Sequence, residues 1–110
     1  MLKKSAKPSS VFRVDKFVVP AAARQEFLEK VGKTHELLGT MKGCLQNLLL
    51  EQESGPGAFN FVTIVEWDDV EAIESAKSAV MALHSQMGLK PQELFARLGI
   101  TADLANYRTL

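Results

Sequence analysis

An α+β fold, with two strand–helix–strand units sharing one four-stranded sheet, is predicted by three features of the chain. Short runs rich in Val, Ile and Phe alternate with segments whose apolar residues recur at helical spacing. A Gly-rich connection joins two of those runs directly, as in a hairpin. The 110 residues, 46% of them hydrophobic, leave room for one core and no second domain.

Val11 to Val19 reads as the first strand, interrupted by the polar Arg13, Asp15 and Lys16 and stopped by Pro20. From Ala21 to Leu38 the residues Ala23, Phe27, Val31, Thr34 and Leu38, with Leu28 beside them, follow the spacing of one helix face. Lys42-Gly43 marks the turn into a second strand, Cys44 to about Glu53. Ser54-Gly55-Pro56-Gly57 then separates it from a third, Phe59 to Trp67, which should be its antiparallel neighbour. Asp68-Asp69 can cap the next helix, because an Asp side chain accepts from the free amides of the first turn. Ile73, Ala76, Val80, Leu83 and Met87 mark that helix. Pro91 suits the start of a short extra helix carrying Leu94, Phe95 and Leu98, and Gly99 suits its end. Ala102 to Thr109 is the last strand. Residues 1–10 lack a periodic apolar pattern and end in Pro8-Ser9-Ser10, so a disordered arm is expected there, with the domain spanning 11–110.

Two helices cannot hide both faces of a four-stranded sheet; in a split βαβ arrangement they cover one. The other face is too apolar to leave in water whichever way the strands turn. Phe12, Val14 and Val18 oppose Phe17 and Val19 in the first strand; Phe59, Phe61 and Val65 oppose Val62 and Ile64 in the third. A self-complementary contact with a second copy would bury that face, so a homodimer is expected.

Thirteen basic and 13 acidic residues cancel, which leaves no broad field to hold nucleic acid or an anionic membrane. No apolar run approaches the ~20 residues of a membrane span. Cys44 has no partner for an internal disulfide and no adjacent base; it reads as an inert thiol, and the cytoplasm is the expected compartment.

Several short patterns together resemble the antibiotic-biosynthesis-monooxygenase (ABM) family. They are Arg24 and Phe27 early in the first helix, Thr34-His35 near its end, Lys42-Gly43-Cys44-Leu45 at the turn, and Glu66-Trp67-Asp68-Asp69-Val70-Glu71-Ala72 where the third strand meets the second helix. The resemblance covers Val11 to Leu110. It implies a ferredoxin-like βαββαβ domain with one short extra helix, paired into a dimeric α+β barrel, with a cavity between sheet and helices. In oxygenase members of the family that cavity holds an electron-rich phenolic or hydroquinone-like small molecule. Once ionised, such a substrate can itself donate an electron to oxygen, so the resemblance implies no cofactor, neither flavin nor metal. In agreement, the chain has no Gly-rich phosphate loop and no metal-spaced His or Cys cluster. Members that oxidise aromatic polyketides are similar in carrying a Trp where Trp67 stands, but they have Asn at the place of Thr63 and Tyr at the place of Ile73. The haem-degrading branch relies on Asn, Trp and His where this chain has Asp15, Ser75 and the neighbourhood of His84; two of the three fail, which disfavours haem degradation.

Trp67 can wall a cavity or simply cap the core at a strand end. His35, one turn after Val31 and two after Leu28, lies at the edge of the apolar stripe, where it can serve as a base or sit as a plain boundary residue. His84 follows Val80 by one turn; a cation near a helix end is also favourable for purely structural reasons. Arg13 and Asp15 share a strand face and either pair in the cavity, holding a phenolate or carboxylate, or bridge a dimer interface. Asn106 and Tyr107 point to opposite faces, so at most one reaches a given cavity; Tyr107 is kept among the substrate-binding candidates with Trp67, Thr63, Arg13 and His84, while His35 and Asp15 are the catalytic ones. The acidic run Glu66, Asp68, Asp69, Glu71 and Glu74 reads as a solvated helix start, not a metal site. Two functions remain open: a cofactor-independent monooxygenase of a small aromatic or quinol compound, or a non-catalytic dimeric ligand-binding or stress-response protein, which Thr63 and Ile73 favour.

Overall fold

The computed structural model describes residues 9–110. In chain order the elements are β1 (Val11–Val18), a 3-10 turn (Ala21–Ala23) running into α1 (Arg24–Gly39), β2 (Cys44–Glu51), β3 (Phe61–Trp67), α2 (Val70–Gln86), α3 (Pro91–Leu98) and β4 (Thr101–Arg108). The strands form one antiparallel sheet in the order β2-β3-β1-β4. This is the ferredoxin-like α+β fold expected from the sequence, with α3 as the short extra helix.

Local chemistry explains where the elements stop. The third strand begins at Phe61 and not at Phe59; just before it, Asn60 Oδ1 accepts from the Val19 amide and Nδ2 donates to the Val19 carbonyl, both at 2.8 Å, tying the strand start to the end of β1. The second strand ends at Glu51, two residues early, as Gln52 Nε2 turns to the Gly55 and Gly57 carbonyls at 3.2 and 3.0 Å and closes the hairpin loop. Asp69 caps α2 by accepting from the Ala72 amide at 2.8 Å. Gly99, at φ 70°, ends α3 in the left-handed region.

Of the expected N-terminal arm, residues 1–8 lie outside the described residues. Ser10 is part of the folded body: it is 2% exposed and its hydroxyl donates to Glu66 Oε2 at 2.7 Å. The sheet margin therefore includes Ser10.

Pairing register sorts the strand residues into two faces. Arg13, Asp15 and Phe17 of β1 pair with Val65, Thr63 and Phe61 of β3 on the face under the helices, where β3 alternates between buried and half-buried positions. Phe12, Val14, Val62, Ile64, Leu48 and Leu50 share the opposite face, which no described helix covers. Beneath the helices the core divides. One cluster holds Phe17, Val19, Ala23, Phe27, Phe61 and Ile100, with Phe17 and Phe61 set against Phe27 at ring separations of 5.0 and 5.1 Å. The other holds Leu38, Val65, Trp67 and Ala76. Burial of these side chains, about 1.5–3 kcal/mol each when complete, supplies most of the stabilisation.

Candidate functional site

Between the two clusters lies a cavity of about 360 Å³, within the range of small-molecule sites. Phe17 and Phe95 wall it from one cluster, and Leu38, Val65, Trp67 and Val80 from the other; the polar Arg13, Asp15 and Thr63 rise from the sheet floor between them. The helices contribute Lys30, Thr34 and His35 from α1 and Lys77 and His84 from α2. The lining is thus apolar with a few convergent polar groups, and three basic side chains, Arg13, Lys30 and Lys77, stand against the single acidic one, Asp15.

Arg13 Nε donates to Asp15 Oδ1 at 2.6 Å, with Asp15 the more buried partner at 22% exposure. Burial pushes the Asp15 carboxyl above its ordinary value, outweighing the opposite pull of the Arg13 hydrogen bond and charge and of nearby His35. His35 Nδ1 lies 2.5 Å from Asn47 Oδ1, while Asn47 Nδ2 donates to the His35 carbonyl at 2.8 Å. Thr34 Oγ1 donates to the Lys30 carbonyl at 3.3 Å and lies 3.0 Å from His84 Nε2, so the hydroxyl is placed to accept from an Nε2–H. Burial lowers His84 below the usual histidine value, which keeps its ring neutral at neutral pH.

The structure brings six of the seven sequence-predicted residues to this cavity: His35, Asp15, Trp67, Thr63, Arg13 and His84. Tyr107 is a correction. It pairs with Phe12 and therefore sits on the uncovered face of the sheet, whereas Leu104, paired with Asp15, reaches the cavity. Trp67 serves in both roles considered for it, since it is 3% exposed within the second core cluster and also lines the cavity. Arg13 and Asp15 pair on the cavity side, not on the uncovered face. Cys44 lies outside the cavity lining, and burial pushes its thiol up, away from the reactive range. Among the described residues no group of three or more His, Cys, Asp or Glu is placed to hold a metal ion. Sequence reasoning missed Lys30, Lys77 and Asn47. Helical spacing would have found the two lysines at the edge of the apolar stripes, Lys30 three residues after Phe27 and Lys77 four after Ile73; nothing in the sequence marks Asn47.

A helix-covered sheet with a cavity of ligand size under the helices defines the class: an α+β domain with a pocket between sheet and helices. The antibiotic biosynthesis monooxygenase family model matches residues 10–83, and the chain belongs to that family. Among solved structures it is similar to a candidate monooxygenase from Shewanella loihica PV-4 (16% identity, TM-score 0.69), covering 93% of this chain and 95% of that one. It is also similar to SnoaB, a cofactor-independent oxygenase from Streptomyces nogalater (19% identity, 90% and 91% covered, TM-score 0.61). A third is the heme-degrader MhuD from Mycobacterium tuberculosis, seen with two hemes in its active site (21% identity, 89% and 93% covered, TM-score 0.62). Identities this low carry the fold alone. No curated protein matches the chain.

Proposed function

We propose that this protein is a cofactor-independent monooxygenase that binds a small electron-rich aromatic compound, phenolic or quinol-like, in the cavity. The observation that carries the reading is the convergence of His35 with the Arg13–Asp15 pair on a mainly apolar, aromatic-walled site. His35 removes a phenolic proton; Arg13, Lys30 and Lys77 favour the resulting anion, which is worth most where water is excluded. The anion then supplies electrons to O₂. For conversion of a ring CH₂, or its enol form, to a carbonyl, the substrate gives up four electrons; one oxygen atom enters it and the other leaves as water. Trp67 and Phe17 orient the ring.

Membership of the antibiotic biosynthesis monooxygenase family supports this reading, and the absence of the expected Trp at Ser75 argues against haem degradation. A second reading, a non-catalytic ligand-binding protein, draws on Thr63 and Ile73, which line the cavity where family oxygenases are expected to carry Asn and Tyr. In either reading the protein acts as a homodimer closed over the uncovered sheet face, in the cytoplasm, where an unpaired Cys44 stays reduced. Zero formal charge disfavours nucleic acid, and among the described residues no helix is long and apolar enough to cross a membrane.

Oxygen uptake tests the proposal. Protein freed of flavin and treated with a chelator should accelerate oxidation of at least one compound in a panel of hydroquinones and anthrols beyond its autoxidation. His35→Asn should lower that rate by about 10²-fold or more. No acceleration with any compound would leave the ligand-binding reading.

A further inference from the structure

A histidine serves as a base through whichever ring nitrogen lacks a proton, and the partner of the other nitrogen decides which one that is. Two hydrogen bonds settle this for His35. A backbone carbonyl only accepts, so the atom of Asn47 lying 2.8 Å from the His35 carbonyl is the amide nitrogen. That orients Oδ1, which only accepts, toward His35 Nδ1 at 2.5 Å. Nδ1 must then be the protonated nitrogen.

Asn47 reaches this place through a local irregularity. Cys44 pairs with Trp67, but Gln46 pairs with Glu66 and Asn47 with Val65, so one extra residue is inserted between Cys44 and Gln46. In an uninterrupted ladder continuing from Cys44, Asn47 would oppose Ile64 and point to the uncovered face. The bulge turns it to the helix side, beneath α1, where His35 sits.

We propose that Asn47 is a positioning residue for the reaction: it locks His35 as the Nδ1–H tautomer and presents Nε2, unprotonated, to the cavity. This rests on the monooxygenase reading above. When the base acts, the substrate O–H bond breaks and an Nε2–H bond forms; the proton later leaves with the departing water. The imidazolium formed keeps the Asn47 bond and gains from the nearby Asp15 carboxylate. The charged and titratable groups facing the same space are Arg13 and Asp15 from β1, Lys30 from α1, and Lys77 and His84 from α2.

The test reads the tautomer directly, by two-bond ¹⁵N–¹H correlation spectra of the full-length ¹⁵N-labelled protein at a pH where His35 is neutral. The wild type should show His35 protonated at Nδ1. Asn47→Leu should shift it toward the Nε2–H form that free histidine favours. Asn47→Asp, which still accepts from Nδ1, should keep the Nδ1–H form. With a substrate found by oxygen uptake, Asn47→Leu should lower kcat at least tenfold with little change in KM. Asn47→Asp, by adding a negative charge beside the ring, should move the acidic limb of the rate profile to higher pH. An Nε2–H tautomer in the wild type, or a tautomer unchanged in Asn47→Leu, would overturn the proposal, and the wild-type spectrum decides even if a variant fails to fold. A tautomer that follows Asn47 in a protein that oxidises none of the panel would support the hold of Asn47 on His35 while sinking the monooxygenase reading.

Discussion

Asp15 shows how a single residue in the cavity sets chemistry against stability. Its carboxyl is raised by burial, so the folded protein holds the neutral form more readily than the unfolded chain does. The sign follows: stability associated with this group is complete at low pH and is lost as pH rises through the folded-state value. Asp15→Asn, which mimics the neutral form and can still accept from Arg13, should therefore melt above the wild type at pH 7. The gain should shrink as pH falls toward the ordinary carboxylate range. Melting curves at several pH values check this, and a wild type more stable at neutral pH would show that the pair with Arg13 outweighs the burial. A buried charge retained at such a cost fits a residue kept for its site.

At the scale of elements, the turn between α1 and β2 and the bulge just after it do the positioning. Gly43 has φ 91°, and a Cβ there would come within 2.7 Å of the Ala72 Cβ, so this turn is pressed against the first turn of α2. Its carbonyl also accepts from the Asp68 amide at 2.8 Å, tying the turn to the end of β3 beside Trp67. Gly43→Ala should cost about 1–3 kcal/mol, from the left-handed backbone and the contact together. Urea titration would measure it, and a loss below ~0.5 kcal/mol would mean that the turn relaxes freely. Because the same turn precedes the bulge that aims Asn47, this variant should also loosen His35.

For the whole molecule, the uncovered sheet face dominates. Phe12, Val14, Val18, Val62, Ile64, Leu48, Leu50 and Tyr107 share it by register, and Val18, Leu50 and Tyr107 are 38, 44 and 46% exposed. A largely apolar face of this kind, interrupted by the facing pair Lys16 and Asp103 and by Gln46 and Glu66, is where a second copy would close a barrel. Light scattering at micromolar concentration should give twice the chain mass, and Ile64→Glu should give a folded single chain, since a charge in such an interface has no partner. A wild type that stays monomeric at high concentration would remove the barrel from the functional reading.

The sequence by itself determined the order and type of every strand and α-helix among the described residues, because period, Pro, Gly and capping residues act over a few positions. It also showed that both alternate sets of strand residues are bulky, which is the ground for expecting a cover on the second sheet face. Trp67, His35 and the Arg13–Asp15 pair were legible for the same local reasons: a strand end, a stripe edge, a shared strand face. Only the tertiary structure decided which face is which. Register excludes Tyr107 from the cavity and admits Leu104, and a single inserted residue in β2 brings Asn47 to His35. Strand faces alternate with a period of two, so one unmarked residue inverts everything after it, and no local pattern reports whether that residue is there.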